Sequence, residues 1–192
     1  MPSFILASQS PRRIELFAAF GVAFTAEDPA ISEDPDGSHI PHLPMMLAMQ
    51  KAAAVADRHP RDVVVGADTM IEFEGRMIGK PLDLKEAREF LLAFSGRTHA
   101  VITGVCLMRK IDHLQCVFSE ETLVAFKPFD STLVDDYFTK VDPLDKAGAY
   151  AAQIAGDMLI ERIDGSFTNV VGLPTERLAQ TIRAIERAGL VS

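Results

Sequence analysis

Cysteine is scarce in this chain: 192 residues contain two, Cys106 and Cys116. Their spacing fits no zinc motif, and a disulfide framework is not expected at this size, so both are expected as buried apolar side chains. Positive charge is also in deficit. Nineteen Lys and Arg stand against 27 Asp and Glu, a formal net charge of −8, which argues against a general binder of nucleic acid or anionic membranes. No apolar stretch reaches membrane-spanning length, and no basic N-terminal region leads into a long apolar run. A soluble, cytoplasmic chain is the expectation, with neither nucleic acid nor membrane as partner. Nothing repeats, and no segment is of low complexity. The phosphate loop Gly-x-x-x-x-Gly-Lys-Ser/Thr is absent. The five histidines, His39, His42, His59, His99 and His113, form no relay or metal pattern. The tools left for chemistry are carboxylates, individually placed cations and a recruited divalent metal.

What is present is an ordinary globular composition, 48% hydrophobic and 24% charged, long enough for one large domain or two small lobes around a cleft. The most informative stretch is Ala7-Ser8-Gln9-Ser10-Pro11-Arg12-Arg13-Ile14-Glu15-Leu16, after the strand-like Phe4-Ile5-Leu6. Ser10 can cap a helix, Pro11 suits its first position, and Gly21 can close it in a left-handed conformation. The charge does not fit a plain helix start. Two arginines sit in the first turn, where the macrodipole disfavours each cation by about 0.3–1 kcal/mol. Hydroxyls, backbone amides and guanidinium groups together at a helix N-terminus describe an anion site, most simply for phosphate. Surface arginines paired with nearby acids are the plainer alternative.

Along the chain, Val22-Ala23-Phe24 reads as a second short strand, and 27–44 as a long loop rich in Pro, Asp, Ser and Gly. Residues 45–58 form an amphipathic helix with Met46, Met49, Ala53 and Ala56 on its core stripe. Asp62-Val63-Val64-Val65-Gly66 reads as a buried strand ending in Ala67-Asp68-Thr69, and Glu74-Gly75 as the turn of a hairpin. Asp83 caps a helix over 84–93. Long strands at 98–108 and 114–126 follow, then a helix capped by Ser131, a loop over 143–153, strands at 158–163 and 169–171, and a C-terminal helix opened by Pro174. Alternating helices and strands with long antiparallel pairs predict a mixed α/β fold.

Asp68 is the leading candidate for chemistry. A carboxylate at a strand exit lies where ligands bind in open α/β sheets, and it suits a general base or a Mg²⁺ ligand; capping the next turn is the structural alternative. Lys80, between Gly79 and Pro81, is a loop cation able to reach an anion or simply to face solvent. Lys51 lies beside its helix's apolar stripe and either snorkels or points into a cleft. In Asp145-Lys146-Ala147-Gly148-Ala149-Tyr150-Ala151-Ala152-Gln153, Lys146 can hold phosphate and the Gln153 amide can read a base.

With these segments in place the chain resembles the Maf family, the septum-formation-inhibitor-like nucleotide pyrophosphatases. The resemblance runs from Ile5-Leu6-Ala7-Ser8-Gln9-Ser10-Pro11-Arg12-Arg13 through Val65-Gly66-Ala67-Asp68-Thr69, Gly79-Lys80-Pro81, Ser95-Gly96-Arg97-Thr98-His99 and Asp145-Lys146-Ala147-Gly148-Ala149-Tyr150 to Val171-Gly172-Leu173-Pro174. It implies a single Maf-like domain over 1–192. The implied fold is a mixed sheet with flanking helices in two lobes around a central cleft, shared with inosine triphosphate pyrophosphatases and often dimeric. It implies cleavage of a nucleoside triphosphate to monophosphate and pyrophosphate with a divalent cation, Mg²⁺ or Mn²⁺. By motif, Asp68 matches the proton acceptor, Glu33 a carboxylate near metal and phosphates, and Ser8, Arg13, Lys51 and Lys80 the phosphate cleft. Asp68 also stands as a metal ligand. Arg12, Thr69 and Gln153 match the subgroup acting on dTTP and UTP, whereas the subgroup acting on 7-methyl-GTP typically carries Trp where Arg12 stands. Gln9 and Met49-Gln50 depart from the usual pattern. The competing expectations are 7-methyl-GTP or ITP as substrate, or a regulator of septum formation that binds nucleotide without turnover.

Overall fold

The computed structural model describes residues 4–31 and 42–189. Its frame comes from two long alternating segments, β5 (Thr98–Arg109) and β6 (Leu114–Phe126), paired antiparallel from Thr98↔Ala125 to Arg109↔Leu114. β3 (Val63–Phe73) runs antiparallel along the other edge of β5, from Val64↔Met108 to Glu72↔Ala100. β1 (Phe4–Ala7) and β2 (Phe24–Ala26) add in parallel beyond β3, and β7 (Ile160–Asp164) closes the far edge. The order is β2-β1-β3-β5-β6-β7, with β4 (Arg76–Ile78) folded back onto β3. Glu74 and Gly75 both have positive φ, 53° and 76°, the conformation that suits a tight hairpin turn. The expected mixed α/β architecture is the one found.

Alternation assigns each strand residue to a face. Helices α1 (Pro11–Ala18), α6 (Phe167–Val171) and α7 (Thr175–Arg187) lie on one face, where Phe17, Leu178 and Ile182 join Val63, Val65, Ala67, Val105 and Leu107. Further along the same strands, α3 (Leu84–Phe94) and α4 (Ser131–Phe138) build a second core around Ile71, Phe73, Val101, Phe126 and Tyr137. The strand positions between the two cores are Thr69 and its partner Thr103, both polar. A sheet that is apolar at both ends and polar across its waist makes two lobes with a hydrophilic seam. The opposite face belongs to α2 (Leu43–Ala56), packed through Ala48, Ala52 and Val55 on Ile5, Val64 and Cys106.

Several sequence expectations are corrected. Asp68 is not at a strand exit: β3 continues through it to Phe73, because β5 pairs with it all the way to Glu72. The core stripe of α2 is Ala48, Ala52, Val55 and Ala56, while Met46 is exposed and Met49 and Ala53 half-buried. The reason lies opposite. A Cβ on Gly66 would come within 2.3 Å of the Ala48 carbonyl oxygen, so the backbones meet too closely for methionine. Segment 169–171 is helical, because Ser166 Oγ accepts from the Asn169 amide at 3.2 Å and caps α6. The second strand begins at Phe24 and the last at Ile160, after a short helix α5 (Gly156–Leu159). Asp130, not Ser131, caps α4, accepting from the amides of Thr132 and Leu133. Cys106 is buried as expected, whereas Cys116 is only partly so.

Candidate active site

The site begins with a break in the sheet. On one edge of β3 the β1 ladder stops at Ala7↔Gly66, and the β4 ladder starts at Ile71↔Ile78. Residues 67–70 lie opposite this break. The chain leaving β1 carries Ser8 and α1 to one side of it, and the chain leaving β4 carries Gly79 and Lys80 to the other. Asp68 therefore occupies the kind of sheet opening that binds ligands in α/β proteins, reached by interrupted pairing rather than by a strand end.

Asp68 points to the α2 face, where Lys51 Nζ donates to its Oδ1 at 2.5 Å; the side chains are 6% and 9% exposed. Gly66 and Gly104 make this contact attainable. A Cβ on Gly104 would sit 2.4 Å from the backbone of Pro44 and Met45, so both glycines let α2 lie against the sheet and lower Lys51 onto Asp68. A buried ion pair adds little over a well-packed apolar pair, so stability alone does not explain this one.

Thr69 points to the other face. Its Oγ1 accepts from Arg13 Nη2 at 3.0 Å, and Arg13 Nε donates to the Gly172 carbonyl at 2.9 Å. The adjacent Arg12 turns elsewhere. Its Nη1 donates to Asp145 Oδ2 at 2.9 Å and its Nη2 to the Asp145 carbonyl at 3.1 Å. Lys146 is buried and donates to the Asp142 carbonyl at 2.7 Å and to Asp145. Arg12 and Lys146 together hold the Asp145 carboxyl below its ordinary range against the opposing effect of its partial burial.

The structure thus pairs Lys51 with Asp68 on the α2 face and Arg13 with Thr69 on the other, while Arg12 and Lys146 meet at Asp145 and Ser8 follows β1. Ser8 is buried, and its Oγ accepts from the Ser10 amide at 3.2 Å; Ser10 stands at the N-cap of α1 but, contrary to expectation, makes no side-chain cap bond. Lys80 is exposed, but its loop is fastened: the Gly148 amide donates to the Gly79 carbonyl at 2.9 Å. Gly148 (φ 64°) packs where a Cβ would come within 2.1 Å of Ile71. Gln153 is exposed beyond this segment and takes no part, among the described residues, in the bonds linking the others. Glu33 lies outside the described residues.

Sequence reasoning missed the supports. His99 Nε2 bonds the Tyr150 hydroxyl at 2.8 Å, pinning the 145–150 segment to the second core. Burial drives the His99 pKa down to about 4, so the ring is neutral at pH 7. Asp145, Thr103, Asn169 and Gly172 were also not singled out. Their signal was chemical and faint: a polar residue inside an otherwise apolar strand for Thr103, and backbone carbonyl groups that no side-chain pattern reveals for Asn169 and Gly172.

The Maf-like protein family model matches residues 3–185. The chain belongs to the Maf family. This Maf chain is 41% identical over 187 residues to the dTTP/UTP pyrophosphatase of Bacillus cytotoxicus, covering 97% of both proteins. It is 42% identical over 183 residues to that of Symbiobacterium thermophilum, covering 95% of this chain and 93% of the relative. The solved structure of the Staphylococcus aureus Ham1 protein matches with a TM-score of 0.54 at 15% identity, over 96% of this Maf chain and 99% of Ham1. That likeness is one of fold.

Proposed function

We propose that this Maf chain hydrolyses dTTP and UTP to the monophosphate and pyrophosphate. The observation that carries the reading is the buried Asp68–Lys51 pair at the sheet break, in a protein related at about 40% identity to dTTP/UTP pyrophosphatases.

Asp68 takes a proton from the water that attacks the α-phosphorus; the new bond joins water oxygen to that phosphorus, and the bond to the β-phosphate oxygen breaks. Lys51 orients the carboxylate. Arg13, Lys51, Lys80 and backbone amides at the start of α1 bind the triphosphate in this reading, with Lys146 as a further phosphate contact. Arg12, Thr69 and Gln153 face the base in this reading, and Ser8 lines the phosphate cleft. The donor chemistry fits a hard cation: the Asp68 carboxylate is the ligand type that Mg²⁺ takes together with substrate phosphates. Asp68 and Glu33 would hold Mg²⁺ or Mn²⁺, which supplies charge neutralisation at the phosphates when bound. A homodimer in the cytoplasm completes the proposal. No described helix is long and apolar enough to cross a membrane.

The test is pyrophosphate release from dTTP, UTP, 7-methyl-GTP and ITP, each with Mg²⁺, Mn²⁺ or a chelator. Cleavage of dTTP and UTP ahead of the purines, lost with chelator, is expected. Preference for 7-methyl-GTP or ITP overturns the substrate class, and cleavage of none overturns the enzyme.

A further inference from the structure

Thr103 is fully buried in β5 opposite Thr69, and two acceptors that hold Arg13 trace back to it. Thr103 Oγ1 donates to the Asn169 carbonyl at 3.2 Å. With the Thr103 hydrogen on that carbonyl, the Thr103 oxygen is left as an acceptor. Thr69 Oγ1 lies 3.0 Å from Thr103 Oγ1, where either hydroxyl can donate; with Thr69 as the donor its lone pairs turn toward Arg13 Nη2, also at 3.0 Å. The competing acceptor for the Thr69 hydroxyl is the Gly172 carbonyl, farther away at 3.4 Å and already bonded by Arg13 Nε. The second acceptor is tied to the same point. The Gly172 amide donates to the Asn169 carbonyl at 3.0 Å, the oxygen that Thr103 also bonds. Asn169 is fixed in turn, its Nδ2 donating to the Val101 carbonyl and to Thr122 Oγ1, each at 3.0 Å.

We propose that Thr103 is a positioning residue for Arg13: its hydroxyl fixes the polarity of Thr69 and the placement of the Gly172 carbonyl, and so aims the guanidinium at the triphosphate. The proposal rests on the reading of this site as one that binds a nucleoside triphosphate. Valine matches threonine in shape but neither donates nor accepts. In Thr103→Val the Thr69 hydroxyl swings to the Gly172 carbonyl and competes with Arg13 for it. Serine keeps the hydroxyl.

The experiment is a cycle of Thr103→Val, Thr103→Ser, Arg13→Lys and Arg13→Lys/Thr103→Val in the full chain. KM and kcat for dTTP are read alongside the affinity for inorganic triphosphate by calorimetry and the melting temperature. Thr103→Val raises KM and the triphosphate Kd about three- to tenfold, the scale of one well-placed hydrogen bond, with a smaller change in kcat. Thr103→Ser restores both to within about twofold of the parent, and Thr103→Val adds less than about twofold once Arg13 is lysine. An unchanged KM and Kd in Thr103→Val overturns the proposal, whatever happens to Tm. So does an equal loss in both Arg13 backgrounds, because Thr103 then acts on the fold and not through Arg13. Failure of the substrate reading looks different: the parent cleaves neither dTTP nor UTP, and the triphosphate-binding cycle still decides the role of Thr103.

Discussion

Asp68 and Thr69 are neighbours in one strand, but their side chains serve opposite faces of the sheet. On the α2 face, Asp68 meets a lysine at 2.5 Å in a setting that water barely reaches. On the α6 face, Thr69 meets an arginine that is only half-buried and shares it with a backbone carbonyl. The difference follows from what covers each face. α2 lies close over Gly66 and Gly104, so its backbone comes near the sheet and the Lys51 ammonium reaches the carboxylate. The other face carries a hydroxyl seam between two apolar cores, whose polar groups, Thr103 and Asn169 fully buried among them, are held by a chain of hydrogen bonds. The period-two geometry of a strand separates a group suited to proton transfer from a group suited to aiming a cation, one residue apart.

The sharpest way to break this comparison is Asp68→Asn. A lost general base lowers kcat on dTTP by about 10²- to 10⁴-fold, with a smaller change in KM and an unchanged circular dichroism spectrum. Turnover near the parent rate removes Asp68 from the chemistry. Next in size is Lys51→Met, which keeps the length of the side chain and removes the cation beside a carboxylate that is 9% exposed. Breaking one partner of a buried pair costs about 3–5 kcal/mol, measurable as a shift in the urea midpoint. A cost under about 1 kcal/mol, the scale of exposed pairs, means that the α2 face is effectively wet and the contrast between the faces is lost.

Much of this site was legible in the sequence, and the illegible parts share a cause. The charged residues announced themselves: Arg12 and Arg13 contradict the helix macrodipole, and Lys51 sits beside an apolar stripe. Asp68 was found for an incomplete reason, because residue pattern does not show that a neighbouring strand keeps β3 paired past its first run. The methionines of α2 misled in the same way, since only the facing glycines decide that alanine fits and methionine does not. Segment 169–171 has the β-branched look of a strand and becomes a helix through the Ser166 cap and the positive φ of Gly172. Composition and period report a residue's own preferences. What they leave out is the distance between backbones and the carbonyl groups that hold side chains in place.

A second adjacent pair sharpens the comparison with the smallest effect. Arg13 is held inside the seam, whereas Arg12 reaches across to Asp145, with side chains 23% and 52% exposed. Exposed pairs contribute about 0.2–1 kcal/mol; Asp145 also accepts from the buried Lys146, and asparagine keeps an oxygen for that bond while losing the charge, so Asp145→Asn lowers the urea midpoint modestly. Its consequence belongs to selection. Arg12 loses the carboxylate that fixes its direction while keeping the Asp145 carbonyl, so its guanidinium samples more orientations at the position proposed to face the base. The expected result is a fall in the preference for dTTP over 7-methyl-GTP, by about two- to fivefold in the ratio of kcat/KM values, on the scale of one weakened charged hydrogen bond. The Arg13 contacts with Thr69 and Gly172 are left intact, so inorganic triphosphate binds as in the parent. A drop in triphosphate affinity as large as the change in preference would show that the two arginines act together on phosphate, and the division between neighbouring residues would then hold in β3 but not in α1.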